Sequence, residues 1–140
     1  MSIQQSEVLY TAVATAENGR DGRVTTNDGT LDLVVTPPKE TGGSGAGTNP
    51  EQLFAAGYSA CFQQALLVVA RQEKADVSGS TVTAEVGLGK NDDGFGLIVK
   101  LSVSIPNVDA ATAKDLVEKA HQVCPYSKAT RGNITVDLAV

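Results

Sequence analysis

Two cysteines, Cys61 and Cys124, are the side chains of this sequence best suited to covalent chemistry. They are the only cysteines among the 140 residues. In a reducing compartment, two thiols of one chain are more often reactive or buried than joined in a structural bridge. The plainer alternative is that each is a small buried hydrophobe, and composition alone favours it. A chemical role therefore depends on what surrounds each thiol.

The surroundings of Cys61 would normally make its thiol unreactive. It lies in a run without charged residues, Gln52 to Ala70, and apolar burial raises the pKa of a thiol. At an ordinary pKa of about 8.5 only about 3% is ionised at pH 7, and a pKa of about 5.5 requires about 4 kcal/mol of stabilisation. A guanidinium about 4 Å away supplies roughly that amount at an effective dielectric constant of about 20. A reactive Cys61 therefore needs one well-placed arginine.

Four arginines are candidates for this cation: Arg20, Arg23, Arg71 and Arg131. Arg71 follows Cys61 by ten residues, which is about 15 Å along a helix axis and excludes it. Arg20 and Arg23 share the segment GRDGR (19–23), which is typical of a turn. We expect Asp21 and Arg23 to stabilise the turn that presents Arg20, and Arg131 to serve the surface or the fold.

A buried guanidinium also needs a carboxylate to hold its planar fork, and Glu51 is the candidate. Glu51 precedes Cys61 by ten residues, again about 15 Å on an unbroken helix. Two explanations remain open: the helix breaks near Gly57, or Glu51 serves the thiol of another subunit. We favour the second, because a helix that is apolar nearly all round needs a covering surface.

The first half of the sequence predicts a small antiparallel meander and then a helix. Residues 8–15 and 30–36 are rich in Val, Leu, Thr and Tyr, and Asn27-Asp28-Gly29 favours a tight turn before the second run. The segment 39–48 contains GGSGAG but no phosphate-binding motif, so a loop is expected. Thr48-Asn49-Pro50-Glu51 supplies a capping residue, a proline and an acid, which predict the start of a long helix.

The second half predicts a hairpin, a helix and a closing strand. Apolar residues alternate over 81–88 and 97–105 around a turn at 91–94, as in two half-buried strands. A helical pattern follows Asp109 and ends at Pro125, and alternation returns over 134–140. Because the strands are grouped without a βαβ repeat, we expect a single α+β domain over 1–140, with antiparallel strands around a long buried central helix.

Weaker signals lie near the two thiols. His121 is three residues before Cys124 and is a candidate base for it, although a packing or surface role is more common. Tyr126 and Ser127, after Pro125, are expected to close the helix end. Three apolar residues of the Cys61 helix are as consistent with plain core as with substrate binding: Phe54, Phe62 and Leu66.

Composition narrows the functional classes. A net charge of -5 and a pI near 4.7 argue against nucleic acid, which requires a basic surface. One His and two Cys cannot form a four-ligand Cys/His zinc site, so we expect no metal. The first ten residues, MSIQQSEVLY, do not resemble a secretory signal, and glutamines in the central helix argue against lipid. We expect a cytoplasmic protein that binds neither nucleic acid nor membrane.

Three segments together resemble the organic hydroperoxide resistance (Ohr) branch of the OsmC/Ohr family: GRDGR (19–23), NPEQLFAAGYSACF (49–62) and AHQVCPYSKATRGN (120–133). The likeness runs over nearly the whole chain. This family consists of cysteine-based peroxidases that are intertwined homodimers with an α+β fold and sites at the subunit interface. The resemblance therefore implies an OsmC-like fold and an intertwined homodimer.

Four residues match the family's catalytic positions without departure. Within the resemblance, Cys61 corresponds to the peroxidatic cysteine and Cys124 to the resolving cysteine. Arg20 corresponds to the residue that stabilises the thiolate, and Glu51 to the carboxylate that orients this arginine. The resemblance also implies alkyl or fatty-acid hydroperoxides as substrates, no bound cofactor, and reduction by dihydrolipoamide or lipoylated proteins.

The residue types support the same chemistry. A Cys61 thiolate attacks the terminal peroxide oxygen and becomes a sulfenic acid; Cys124 condenses with it to a disulfide, which an external dithiol reopens. The expected role is detoxification of organic peroxides as an antioxidant stress response. The alternative is a redox-sensing or small-molecule-binding dimer without turnover, although a sensor usually needs an output domain and none is recognised in this sequence.

Overall fold

A computed structural model describes residues 7–140 of the protein. The chain divides into two compact units, Met1–Pro50 and Glu51–Val140, and each contains a three-stranded sheet. Residues 1–6, part of the segment that does not resemble a secretory signal, lie outside the described range. The expectation of a single domain over 1–140 stays a prediction.

The N-terminal unit is an antiparallel meander, as predicted. Its strands are β1 (Ala14–Glu17), β2 (Gly22–Thr26) and β3 (Asp32–Val35), in the order β1-β2-β3. The prediction of a strand over 8–15 was mostly wrong, because β1 begins only at Ala14 and the preceding apolar residues are exposed. No strand was predicted at β2, whose Arg and Thr side chains give little apolar alternation.

Two tight turns join these strands. The β1–β2 turn spans residues 18–21: Asn18 and Gly19 have φ angles of 59° and 55°, in the left-handed region, and the Asp21 amide donates to the Asn18 carbonyl at 3.1 Å. Arg20 lies within this turn. The predicted turn at Asn27-Asp28-Gly29 is confirmed, with Asp28 accepting a hydrogen bond from the Thr30 amide at 2.9 Å. The loop predicted over 39–48 is also confirmed, apart from a short 3-10 helix at Lys39–Thr41.

The long helix α1, Pro50–Glu73, contributes all of its residues after Pro50 to the second unit. Its predicted start is confirmed. Within a single chain the helix is buried on one side only, so cover by a second subunit stays a prediction. One side is buried: Tyr58, Phe62, Ala65, Leu66, Val69 and Ala70. Another side is exposed and uncharged: Gln52, Ala56, Ala60, Gln64 and Leu67. By length and hydropathy alone α1 is able to span a membrane, but core helices of soluble proteins also meet this criterion.

The second sheet packs against the buried side of α1. The predicted hairpin consists of β4 (Thr81–Asn91) and β5 (Gly94–Ser104), antiparallel and in register from Thr81↔Ser104 to Asn91↔Gly94. The closing strand β6 (Val136–Ala139) pairs with β5 in parallel. The expectation of purely antiparallel strands was therefore wrong, because the helical connection after β5 returns the chain in the direction of that strand.

Two helices make this connection. Helix α2 (Ala110–Val123) starts at Asp109, whose side chain accepts a hydrogen bond from the Thr112 amide at 2.7 Å. Pro125 ends α2 as predicted but also starts a further helix, α3 (Pro125–Thr130), which was not expected. Proline suits this position because it lacks only an amide hydrogen that a first helical residue does not need. Tyr126 and Ser127 therefore belong to α3 rather than to the end of α2.

Candidate active site

The structure brings the two cysteines together. Cys61 lies on α1 and Cys124 at the bend between α2 and α3, and their sulfur atoms are 3.6 Å apart. Both are free thiols; Cys61 is partly buried and Cys124 completely buried. A disulfide requires a separation of about 2.05 Å. The two sulfurs are thus close enough to react after a small approach.

Local geometry explains the position of Cys124. Its amide donates to the Ala120 carbonyl at 2.9 Å, which ends α2, and its carbonyl accepts from the Lys128 amide at 3.0 Å, which begins α3. Its ψ angle of 123° is the extended value that a following proline favours. Cys124 is therefore the single extended residue between two helices, and the buried stripe of α2 directs it towards α1.

Two opposing effects act on the Cys61 thiol. Burial raises its pKa above the ordinary value, and the neighbouring Cys124 thiol adds to the increase. The backbone N–H of Tyr126 donates to Cys61 Sγ and acts in the opposite direction on the pKa, because it stabilises the thiolate. The net shift of the Cys61 pKa is upward, so the effect of burial outweighs that of the amide.

Three aromatic rings cluster beside the thiols. The centroid of Tyr126 lies 6.0 Å from that of Phe54 and 5.6 Å from that of Tyr58, and Phe54 and Tyr58 are 6.1 Å apart. Gly57 permits this approach: a Cβ atom there would lie 2.6 Å from the Tyr126 hydroxyl oxygen. The missing side chain of Gly57 thus lets α3 come close to α1.

A buried polar cluster lies behind the rings. The Tyr58 hydroxyl is 2.8 Å from Ser127 Oγ and 3.1 Å from Thr130 Oγ1. His121 Nδ1 is 2.7 Å from Ser127 Oγ, so the hydrogen bond of His121 goes to Ser127 and not to Cys124. Arg131 donates to the His121 carbonyl at 2.6 Å, in agreement with a role in the fold.

The two charged candidates lie at the start of their elements. Arg20 is in the β1–β2 turn of the N-terminal unit, and Glu51 is in the first turn of α1. Arg23 pairs with Asp32 at 2.6 Å and so links β2 to β3 rather than stabilising the turn of Arg20. Helix α1 is continuous through Gly57, which excludes a helix break as a route from Glu51 to the thiol of its own chain.

Comparison with known proteins identifies the family. The family model for OsmC-like proteins matches residues 42–139. The chain belongs to the OsmC-like family.

Several relatives within the OsmC-like family are described as organic hydroperoxide resistance proteins. The organic hydroperoxide resistance protein of Xanthomonas axonopodis pv. citri is 52% identical over 136 residues, 96% of either chain. The crystal structure of such a protein from Elizabethkingia anophelis has a TM-score of 0.90 and 53% identity, covering 96% of this chain and 97% of that chain. Bacillus subtilis OhrB gives 0.87 and 45%, covering 94% and 98%. The predicted OsmC-like α+β fold and the resemblance to Ohr proteins are confirmed.

The three apolar residues that the sequence offered for substrate binding differ in burial. Phe62 and Leu66 are completely buried in the core, where they pack, whereas Phe54 is partly buried within the aromatic cluster. Sequence reasoning gave no functional role to Tyr58, Tyr126 or Ser127. Two signals were available: Tyr58 is three residues before Cys61, and Ser127 three after Cys124.

Among residues 7–140, no group of three or more His, Cys, Asp or Glu side chains is placed to hold a metal ion.

Proposed function

We propose that this protein is a thiol-dependent peroxidase that reduces organic hydroperoxides to alcohols and so detoxifies them in the cytoplasm. The observation that carries the proposal is the separation of 3.6 Å between the sulfurs of Cys61 and Cys124. It is supported by relatives named for organic hydroperoxide resistance. Two thiols at this distance suit a cycle in which one is oxidised and the other resolves it.

In the first step, the Cys61 thiolate attacks the terminal oxygen of the hydroperoxide. The O–O bond breaks, the alkoxide takes a proton and leaves as the alcohol, and Cys61 becomes a sulfenic acid. The Tyr126 amide that donates to Cys61 Sγ is available to stabilise the thiolate. Because burial raises the pKa of this thiol, the step also needs a cation, for which we propose Arg20 with Glu51 as its orienting carboxylate.

In the second step, the Cys124 thiol displaces the hydroxyl group from the Cys61 sulfenic acid. A disulfide forms and the hydroxyl leaves with the thiol proton as water. An external dithiol then reduces the disulfide by exchange and is itself oxidised to a disulfide. We propose a dihydrolipoyl group, free or on a lipoylated protein, as this dithiol, and no bound cofactor.

The active unit we propose is an intertwined homodimer. The exposed side of α1 has no charged residue between Gln52 and Leu67, and such a surface gains stability when a second copy covers it. Because α1 is unbroken, Glu51 lies about 15 Å from Cys61 along its own helix. The site that we propose therefore combines Cys61 of one subunit with Glu51 of its partner.

A preference for organic substrates is supported by the side chains around the thiols. Phe54 and Tyr126 form part of the aromatic cluster, and Val123, next to Cys124, is 54% exposed. An alkyl chain gains free energy from contact with such surfaces, whereas hydrogen peroxide does not. We propose Phe54 and Tyr126 as the substrate-contacting residues in preference to Phe62 and Leu66, which are buried in the core.

The deciding experiment is a coupled assay. The protein is mixed with tert-butyl hydroperoxide, dihydrolipoamide and lipoamide dehydrogenase, and NADH oxidation is followed. One parallel reaction replaces the lipoyl reductant by thioredoxin, thioredoxin reductase and NADPH, and another replaces the organic hydroperoxide by hydrogen peroxide. We expect turnover with the lipoyl reductant, less with thioredoxin, and faster reaction with the organic peroxide. Cys61→Ser should abolish peroxide consumption, and Cys124→Ser should consume about one equivalent and then stop.

Ser59→Ala, on the same helix, is the matched control and should retain wild-type turnover. No consumption of organic hydroperoxide by the wild type would refute the peroxidase. Oxidation of one equivalent per site without turnover under all reductants would favour the sensing or binding dimer instead.

A further inference from the structure

The polar cluster behind the thiols forms one continuous hydrogen-bonded chain. It runs from His121 Nδ1 to Ser127 Oγ at 2.7 Å, to the Tyr58 hydroxyl at 2.8 Å and to Thr130 Oγ1 at 3.1 Å. Tyr58, Ser127 and Thr130 are buried. Since buried hydroxyl groups without partners are costly, each link has to be made for the packing to be stable.

The direction of every proton in this chain can be deduced. Thr130 Oγ1 donates to the Ser127 carbonyl at 3.2 Å, because a carbonyl only accepts. Each hydroxyl has a single proton, so Thr130 must accept from Tyr58, and Tyr58 in turn must accept from Ser127. Ser127 Oγ then accepts from His121, which requires a proton on His121 Nδ1.

The hydrogen-bonded chain links the three helices that carry or flank the two thiols. Tyr58 is one helical turn before Cys61 on α1, while His121 and Ser127 stand three residues before and three after Cys124. The hydrogen bonds therefore span the bend that carries Cys124 and join it to the helix that carries Cys61. No link includes either sulfur atom, so the chain acts on the distance between the thiols and not on their bonds.

We propose that His121, in its Nδ1-protonated form, together with Ser127 and Tyr58, is a positioning device that holds Cys124 Sγ within reach of Cys61 Sγ for disulfide closure. The inference rests on the proposed function, in which closure follows sulfenic acid formation. Closure is sensitive to position because one ångström of misplacement can cost about 100-fold in rate. First attack of Cys61 on an oxidant does not use the chain and is independent of it.

The charge of His121 is compatible with this role. Burial lowers the pKa of His121 below its ordinary value, and the nearby Arg131 guanidinium lowers it further. The imidazole is therefore neutral at pH 8 and carries a single N–H proton. This proton is sufficient, because the hydrogen-bonded chain requires a donor only at His121 Nδ1.

The first test reads the tautomer directly. His121 is the only histidine of the chain, so a protein labelled with 15N in histidine, without a histidine tag, gives one pair of ring nitrogen signals. At pH 8 we expect a protonated Nδ1 and an unprotonated Nε2, and Ser127→Ala should shift the balance towards Nε2–H. A wild-type ring protonated only at Nε2 would overturn the proposal, whatever the peroxidase assay shows.

The second test separates closure from first attack without any peroxide. Reduced protein is mixed with 5,5'-dithiobis(2-nitrobenzoate). The partly exposed Cys61 thiol attacks this reagent, releases one 2-nitro-5-thiobenzoate anion and forms a mixed disulfide. Cys124 then attacks Cys61 Sγ, forms the protein disulfide and releases a second 2-nitro-5-thiobenzoate anion. Ser127→Ala and Tyr58→Phe should leave the first release within about twofold of wild type and slow the second about tenfold or more.

Leu116→Val is the matched control, since Leu116 is completely buried on α2 but takes no part in the hydrogen-bonded chain. It should cost about 1 kcal/mol of stability and leave the second release unchanged. Wild-type closure in Ser127→Ala, or equal slowing by Leu116→Val, would overturn the positioning role. Because this assay contains no hydroperoxide, its failure is distinguishable from failure of the proposed peroxidase.

Discussion

Gly57→Ala tests whether the close approach of α3 to α1 determines the geometry of the site. A Cβ atom at this position would lie 2.6 Å from the Tyr126 hydroxyl oxygen and 3.1 Å from its ring carbon Cζ. Non-bonded heavy atoms essentially never come within 3.0 Å of a Cβ atom, so the Tyr126 ring has to move. We expect the Tyr126 ring to turn outwards and its backbone amide to withdraw from Cys61.

The expected magnitude follows from two opposing contributions. Replacing glycine by alanine inside a helix stabilises by about 1 kcal/mol. Tyr126 loses its contacts with Phe54 and Tyr58, and two aromatic pairs at about 0.5–1.5 kcal/mol each cost about 1–3 kcal/mol. The net effect is a destabilisation of about 0–2 kcal/mol. For 140 residues, 1 kcal/mol corresponds to about 3 °C in Tm.

The assay combines thermal unfolding at fixed protein concentration with the rate of disulfide closure. Closure should slow in Gly57→Ala, whereas Tyr126→Phe removes the nearest atom and should restore part of the rate and stability in the double variant. The cycle of four proteins measures the coupling between the two positions. A Tm increase of about 3 °C in Gly57→Ala, with closure at the wild-type rate, would refute this reasoning.

Three further predictions concern charges. Arg20→Met should raise the pH midpoint of Cys61 alkylation, because without the guanidinium nothing offsets the increase in the thiol pKa that burial causes. An unchanged midpoint would exclude Arg20 as the cation that stabilises the thiolate. Mixing Glu51→Ala with Cys61→Ser subunits should restore about a quarter of wild-type activity, since random pairing gives half heterodimers with one intact site each; no recovery would place both groups in one subunit. The Thr112 amide holds the pKa of Asp109 below its usual 3.8. The stability that the ionised cap adds is therefore fully present above pH 3.8 and is lost as the pH falls through the lower pKa of Asp109 in the folded protein. The Tm difference between wild type and Asp109→Ala should therefore shrink below pH 3.8, and a constant difference would contradict the role of the charge.

Elements specified by neighbouring residues were predicted well. The start of α1 at Pro50 and that of α2 after Asp109 depend on caps within four residues, and the β4–β5 hairpin depends on alternation around one turn. The direction of β6 was not predictable in this way, because its partner β5 is about thirty residues earlier and the connection determines its direction. Helix α3 was missed because Pro125 ends one helix and begins another, and a local signal for an end does not exclude a start.

The sequence by itself determined which groups have the chemistry: two thiols, a charge-free run from Gln52 to Ala70 that raises the expected pKa of Cys61, and segments characteristic of the OsmC-like family. These are properties of residue type and spacing. Only the tertiary structure decided that Cys61 and Cys124, 63 residues apart in the chain, lie 3.6 Å from one another, and that His121 bonds to Ser127. Such distances depend on how α1, α2 and α3 pack, and packing is a sum of many contacts that no single motif encodes.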